Sequence, residues 1–396
     1  MERVIEKSRK KTAAVSGLFE RYLIKKVSWE DRLIAIEGAR GSGKTTLLLQ
    51  YLSNYLPLEV SLYISMDDLF FLNNSLYEFA DTFQKTGGKH LLIDEVHKYP
   101  DWSRELKLIY DDFPDLQVVF TSSSILEIHK GESDLSRRAV SYTLKELSLR
   151  EYVTLSQKVA FPSYSFTDVL TNHVALATSI SQQIKPLKVF NEYLKYGAYP
   201  YFTESIDTYE QKLISTLNLI LDVDLKAVEN PKYAMIVKLK KLLYVISTSV
   251  PFTPNITKLS ERTGISRNTL LLALKHLERA RLIHSLNKPT KGLSALAKPD
   301  KVYLNNTNLM YGLAQGELSK GTLRETFFLN QLTDFHSLHL PPQGDFLVDN
   351  TYTVEIGGKQ KGKHQIKEVQ QAYIAKDGIE IGNKNTIPLW LFGFLY

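Results

Sequence analysis

Gly38-Ala39-Arg40-Gly41-Ser42-Gly43-Lys44-Thr45 decides how this 396-residue chain is read. The stretch is a complete GxxxxGK[ST] loop. It follows a short apolar run, Leu33-Ile34-Ala35-Ile36, that reads as a buried strand, and it opens a helical pattern from Thr45 to Tyr55. Glycines between a strand and a helix let successive backbone N–H groups turn inward around phosphate oxygens. The helix N-terminus adds its partial positive charge. Lys44 is placed to reach the β- and γ-phosphates of a nucleotide, and the Thr45 hydroxyl to ligate Mg²⁺. Thr46 completes the expected cradle.

Further along, Leu91-Leu92-Ile93 reads as a buried parallel strand ending in Asp94-Glu95. Open α/β sheets place ligand chemistry at the C-terminal ends of their strands. Asp94 is therefore the candidate Mg²⁺-side carboxylate, and Glu95 the candidate group to orient or deprotonate an attacking water. No NKxD tetrapeptide that would read guanine occurs, so the expected nucleotide is ATP. A third strand, Leu116 to Phe120, ends in Thr121-Ser122-Ser123-Ser124. Thr121 either senses a γ-phosphate or belongs to a helix cap, since serine and threonine favour both places. Arg137 and Arg138 precede a strand-like Ala139 to Leu144. They read either as an arginine finger for a neighbouring subunit's nucleotide or as a solvated surface pair.

GARGSGKTT, LLIDEV, VVFTSSS and DLSRRAVSYTLKELSLREYV, in that order, resemble the AAA-type ATPases of prokaryotes that carry a C-terminal nuclease-like domain of unknown function. Tyr193-Leu194-Lys195-Tyr196-Gly197-Ala198-Tyr199-Pro200, Leu323 to Phe328, Gly344-Asp345-Phe346, Glu355 to Lys359 and the ending IPLWLFGFLY extend the likeness over nearly the whole chain. Ser122 stands where that family usually has glycine. The resemblance implies nucleotide binding and hydrolysis, and names no client.

Bulk properties allow two to four compact units. The absence of cysteine excludes a disulfide scaffold and a thiolate metal site, and suits a reducing cytoplasm. The start, MERVIEKSRKK, has no apolar h-region, and no apolar run approaches membrane-spanning length, so neither a signal peptide nor a membrane partner is expected.

Charge is concentrated. Residues 255–301 hold ten Lys/Arg against three Asp/Glu, a net +7 in a chain of net +6. The same segment reads as a winged helix. Asn255 to Thr263 forms a short helix, Gly264-Ile265 a turn, and Ser266 caps a second helix from Arg267 to about Arg281. Leu282 to Leu286 and Lys301 to Leu304 form the wing strands. Arg267, Asn268, Lys275 and Arg279 are candidates for DNA contact, with Lys288, Lys291 and Lys298 for phosphates. One helix face cannot bury Leu270, Leu271, Leu272, Leu274 and Leu277 together. Leu271 and Leu272 therefore leave open a protein-docking or lid role.

Residues 151–245 read as a helical lid, with helices over Asn191 to Tyr196 and Tyr209 to Val228. In residues 318–396, Glu325 lies on a helix, Asp345 opens a strand and Glu355 ends the next. That layout approaches the PD-(D/E)xK arrangement, in which two carboxylates and a lysine gather at one divalent metal. The lysine position, however, is Gly357. Lys359 or Gln365 is left as the substitute, and such a departure marks a nuclease-like fold that keeps binding duties more often than cleavage. The apolar ending, Pro388 to Tyr396, is expected to be a buried strand or a subunit contact. The expected architecture is thus α/β: an AAA-type P-loop parallel-sheet domain (1–150), a helical lid (151–245), a winged-helix segment (246–310) and a restriction-endonuclease-like α/β domain (318–396). Homo-oligomerisation on ATP fits the arginine pair.

Overall fold

The computed structural model describes residues 2–15, 17, 19–122, 135, 137–224, 233–248, 256–289, 298–314, 316–362 and 364–396. Ser123, Ser124, Ser136, residues 225–228, Asn255 and Lys291, all invoked above, lie outside the described residues. The chain divides into two compact units, Met1–Glu146 and Leu147–Tyr396.

In the first unit five parallel strands run in the order β2-β3-β4-β1-β5. They are β1 (Leu33–Gly38), β2 (Ser61–Ser65), β3 (His90–Asp94), β4 (Gln117–Thr121) and β5 (Val140–Leu144). The helices are α1 (Glu2–Ala14), α2 (Lys44–Tyr55), α3 (Leu76–Lys85) and α4 (Trp102–Asp112). Successive side chains of a strand point to opposite faces, so a strand covered on both sides must be apolar throughout. β1 shows this directly. Leu33 and Ala35 join one core with Phe79 of α3 and Leu106 of α4, while Ile34 and Ile36 join another with Leu47, Leu48 and Leu52 of α2. Because β1 and β3 are adjacent to β4 in a parallel sheet, the loop after Gly38 and the acids after Ile93 emerge on the same edge.

The second unit begins with helices α5 (Leu149–Gln157), α6 (Phe166–Ser181), α7 (Pro186–Tyr196) and α8 (Tyr209–Leu219). α7 starts five residues before the expected Asn191 because Pro186, whose ring presets helical φ, occupies its first position. α8 stops as an α-helix at Leu219 and passes into a π-turn over Ile220–Asp224. Then follow α9 (Tyr233–Thr248), α10 (Ile256–Thr263) and α11 (Arg267–Arg279), the last capped by Ser266, whose hydroxyl accepts from Thr269 N–H. The strands β6 (Ile283–Leu286) and β7 (Lys301–Leu304) pair antiparallel. Helices α12 (Thr307–Leu313) and α13 (Lys320–Leu332) lead to a mixed sheet. Its strands β8 (Leu338–His339), β9 (Phe346–Val348), β10 (Tyr352–Gly357), β11 (Ala372–Lys376) and β12 (Thr386–Pro388) stand in the order β12-β11-β10-β9-β8.

The apolar ending is not a strand. Leu389–Phe394 is a 3₁₀ turn whose six residues are all buried. The run has no polar alternation for a half-exposed strand to use, and Gly393 lets it close: a Cβ there would stand 2.5 Å from Leu149 Cβ. Phe328 of α13 meets Phe346 at 5.2 Å and Phe392 at 4.9 Å between ring centroids, so helix, sheet and tail share one core. Among the described residues no helix is long and apolar enough to cross a membrane.

Asn308 on α12 holds the helical part of this unit together. Its carboxamide oxygen accepts from Ala198 N–H at 2.8 Å and from the Tyr209 hydroxyl, and its amide donates to Tyr193 O at 3.0 Å and Leu194 O at 2.9 Å. The side chain is fully buried, so its removal would strand several polar groups without water. Asn308→Ala should destabilise the second unit by on the order of 3 kcal/mol, read as a lower urea midpoint. An unchanged midpoint would remove Asn308 from that role.

Candidate nucleotide site

The phosphate loop is shaped by three positive-φ glycines: Gly38 (150°), Gly41 (81°) and Gly43 (100°). Such angles are open to glycine and costly for other residues. Gly38 carries a second constraint, because a Cβ there would stand 2.3 Å from the Leu144 carbonyl oxygen of β5. Lys44 begins α2 and is buried. Its ammonium donates to Gly38 O at 2.9 Å and to Ala39 O at 3.0 Å, carbonyls that phosphate oxygens would compete with for the same three protons. Arg21 braces the loop from behind. Its guanidinium donates to Ser42 O, to Lys145 O at 2.7 Å and to Glu146 O at 3.2 Å. Nothing local in the sequence marks Arg21, whose partners are more than twenty residues away.

Asp94 is the hub of the site. Its Oδ2 accepts from Thr45 Oγ1 at 2.7 Å and from the Tyr63 hydroxyl at 2.8 Å, and its Oδ1 accepts from Thr121 Oγ1. Thr121 Oγ1 also accepts from Glu95 N–H at 3.0 Å. The Thr121 hydroxyl is thus engaged between the two acids of the motif. Tyr63 escaped the sequence reading. It lies on β2, and burial first, then the Asp94 charge, push its phenol far above the usual range.

Glu95 adopts a left-handed φ of 56° at the end of β3, which turns its side chain out of the strand direction. Its carboxylate lies 3.5 Å from His97 Nε2 and 3.6 Å from Lys98 Nζ, and Lys98 also pairs with Asp67 at 2.6 and 2.7 Å. His97 Nδ1 lies 3.1 Å from the Ser122 hydroxyl. Ser122, His97 and Glu95 therefore form one polar chain at the strand ends. Burial, then the positive charges of Lys98, Lys44 and Arg40, lower the His97 pKa to about 4, so the imidazole is neutral at neutral pH.

The arginine pair sits elsewhere. β5 pairs with β1 so that Val140 stands opposite Ile34 and Leu144 opposite Gly38. Arg137 and Arg138, just before β5, therefore lie at the end of the sheet away from the phosphate loop. Arg138 is held by Asp111 through contacts of 2.8 and 3.0 Å, and Arg137 is exposed. Neither reaches the nucleotide cradle of its own chain.

In the second unit Leu270, Leu274 and Leu277 of α11 are buried while Leu272 is 45 % exposed. The five leucines do split between faces. Arg267, Asn268, Leu271 and Lys298 line one shallow hollow with Ile256 and Thr257. In the C-terminal sheet, Glu325 on α13 accepts from the Tyr303 hydroxyl at 2.6 Å and lies 3.6 Å from Lys301. Asp345, immediately before β9, accepts from Ile356 N–H at 2.7 Å, and Glu355 on β10 is buried. Lys359 is exposed, and the ion-pair partner of Glu355 is Lys361. Among the described residues no group of three or more His, Asp or Glu is placed to hold a metal by itself.

Residues 30–153 match the AAA domain family, and residues 187–319 match a domain of unknown function. No curated protein matches the chain. Among solved structures the chain is similar to the Walker-type ATPase PABY2304 of Pyrococcus abyssi, with 11% identity over 75% of this chain and 96% of that one, at a TM-score of 0.43. It is also similar to PCH-2 of C. elegans (16% identity, TM-score 0.25), over 43% of this chain and 47% of that one. The Hsp104–ADP complex of S. cerevisiae gives 17% identity and a TM-score of 0.29, over 68% of this chain and 40% of that one. The chain thus spans less than half the length of the latter two. The domain match, set on the loop and acids described above, makes the first unit a P-loop domain of the AAA ATPase type.

His97 gives the site a pH signature. An imidazole with a pKa of about 4 when folded, against roughly 6.5 unfolded, binds its proton in the unfolded chain first. Stability therefore falls as pH drops from about 6.5 toward 4. His97→Gln should flatten that acid limb in thermal melts taken across the window; identical slopes for the two proteins would contradict the assignment.

Proposed function

We propose that the chain binds ATP with Mg²⁺ across residues 38–46 and hydrolyses it to switch between conformations. The observation that carries this reading is the 2.7 Å contact of Thr45 Oγ1 with Asp94 Oδ2, with Glu95 next in sequence. Backbone N–H groups of Gly41 to Thr46 surround the phosphates, and Lys44 leaves its loop carbonyls for β- and γ-phosphate oxygens. Thr45 and Asp94 would hold Mg²⁺, which would supply charge neutralisation at the phosphates. Glu95 orients the attacking water and takes its proton, and the neutral His97 keeps the carboxylate turned toward the strand ends. Arg137 serves the nucleotide of a neighbouring copy, since its own lies at the opposite end of the sheet.

The switching is directed at DNA. Helices α10 and α11 with the β6–β7 hairpin fit a winged helix, and exposed Arg267 and Asn268 at the start of α11, with Lys298 beside them, offer a basic polar edge. The exposed Leu272 supports a second reading, a protein-directed switch in which this helix docks a partner and ATP acts as a timer. In the C-terminal unit, an antiparallel β9–β10 pair, a parallel β10–β11 pair and α13 packed on β10 support a nuclease-like fold.

Lys44→Ala should abolish steady-state ATP hydrolysis. Glu95→Gln should still bind ATP while turnover falls about 100-fold or more. A Glu95→Gln protein that releases phosphate at the normal rate would take Glu95 out of the base role.

Neutralising Arg267, Lys288 and Lys298 together should weaken duplex binding and reduce its log–log salt slope by roughly 0.9 per lost phosphate contact. An unchanged slope, measured by fluorescence anisotropy over a salt series, would favour the protein-docking reading.

A further inference from the structure

Gly357 breaks the carboxylate–lysine pattern of the C-terminal sheet, and the structure fills the break from further along the chain. A Cβ built on Gly357 would stand 2.3 Å from Lys361 Cβ and 2.2 Å from Lys361 Cγ. The lysine stem therefore runs through the volume that a side chain at 357 would occupy. It arrives there because the chain turns back after β10, with Lys361 N–H donating to Gly358 O at 2.9 Å. Its ammonium pairs with Glu355 Oε1 and donates to Gln365 Oε1 at 2.7 Å. Gln365, one of the two residues that could have replaced the missing lysine, instead steadies the residue that does.

The neighbouring groups belong to the same centre. Glu355 is 2% exposed at the side chain, and Asp345 is clamped one residue along by Ile356 N–H. Burial raises the Glu355 pKa; the Lys361 hydrogen bond opposes this, while the charges of Asp345 and Glu325 reinforce it. Asp345 and Glu325 thus act on Glu355; Lys301 pairs with Glu325, and Lys361 is the cation delivered to Glu355.

Resting on the nuclease-like reading above, we propose that Lys361 supplies the lysine missing at 357, so that Asp345, Glu355 and Lys361 form a centre for divalent-cation-dependent hydrolysis of a nucleic-acid phosphodiester. Mg²⁺ and similar ions are commonly held by one or two carboxylates together with substrate phosphate, so a larger protein cage is not required. In the reaction a water oxygen bonds to phosphorus while one phosphorus–ester oxygen bond breaks. The water gives up one proton, and the departing oxygen takes one up to leave as an alcohol. Lys361 offsets negative charge gathering at the phosphate.

The full-length protein provides two tests. In thermal melts, Gly357→Ala alone should be strongly destabilising, because the new Cβ collides with the lysine stem and its Cβ, and much less so in a Lys361→Gly background, where both are gone. In Mn²⁺-dependent cleavage of supercoiled plasmid and circular single-stranded DNA, Lys361→Met should lose about 100-fold in rate. The double variant Gly357→Lys, Lys361→Gly, which returns the lysine to the strand and clears the Cβ it would meet, should recover cleavage. Additive melting shifts would overturn the placement of the lysine. Cleavage by Lys361→Met at the wild-type rate would overturn its role. A wild-type chain that cuts neither DNA while the melting shifts stay coupled would overturn the nuclease reading instead, leaving Lys361 as a structural filler.

Discussion

Three hydroxyls from three strands or helices converge on the carboxylate of Asp94, and the nucleotide site depends on that convergence. Thr45 brings the start of α2, Tyr63 brings β2, and Thr121 brings β4. A buried carboxylate is tolerable only when its lone pairs are satisfied, and hydrogen bonds to an ionised acceptor are among the stronger ones. The acid therefore does two jobs at once. It orders the edge of the sheet where the strands end, and it keeps a negative charge in register with the lysine and hydroxyl of the phosphate loop. Glu95 inherits its position from the same network, because its backbone N–H is tied to Thr121.

What was legible in the sequence was whatever a short stretch could carry. Residues 38–45 and the acids at 94 and 95 sit in local patterns whose spacing reflects a single strand-to-helix turn or a strand end. The apolar run before each pattern placed β1 and β3 within two residues of their observed ends. Tyr63, Arg21 and His97 were invisible for a common reason. Their roles come from where strands β2, β4 and β5 stand beside β1 and β3, and no spacing within the chain encodes that adjacency. Thr121 was found for its place at a strand end, but its hydroxyl turned out to face Asp94 and Glu95.

The second unit shows the same limit from the other side. Gly357 was legible as a departure from the carboxylate–lysine pattern, yet the residue that fills its space lies beyond the window such a pattern spans. Lys361 could not be chosen over Lys359 by counting, because the choice depends on a tight turn after β10. Likewise the leucine-rich α11 announced that one face could not hold every leucine, but only packing decided that Leu272 stays outside. The ending is buried as expected, but its expected strand form gives way to a 3₁₀ turn, because a dense apolar run carries no periodicity to distinguish strand from turn.

Gly38 deserves a different kind of reading from its neighbours in the loop. Its missing side chain makes room for a carbonyl of β5, so the requirement comes from the closing of the sheet and would persist in a version of this domain that never met a nucleotide. Genetic evidence drawn from the loop must be sorted accordingly. A lesion at Lys44 reports on phosphate chemistry, whereas a lesion at Gly38 reports first on whether the domain assembled, and the two phenotypes would be mistaken for each other in a growth assay.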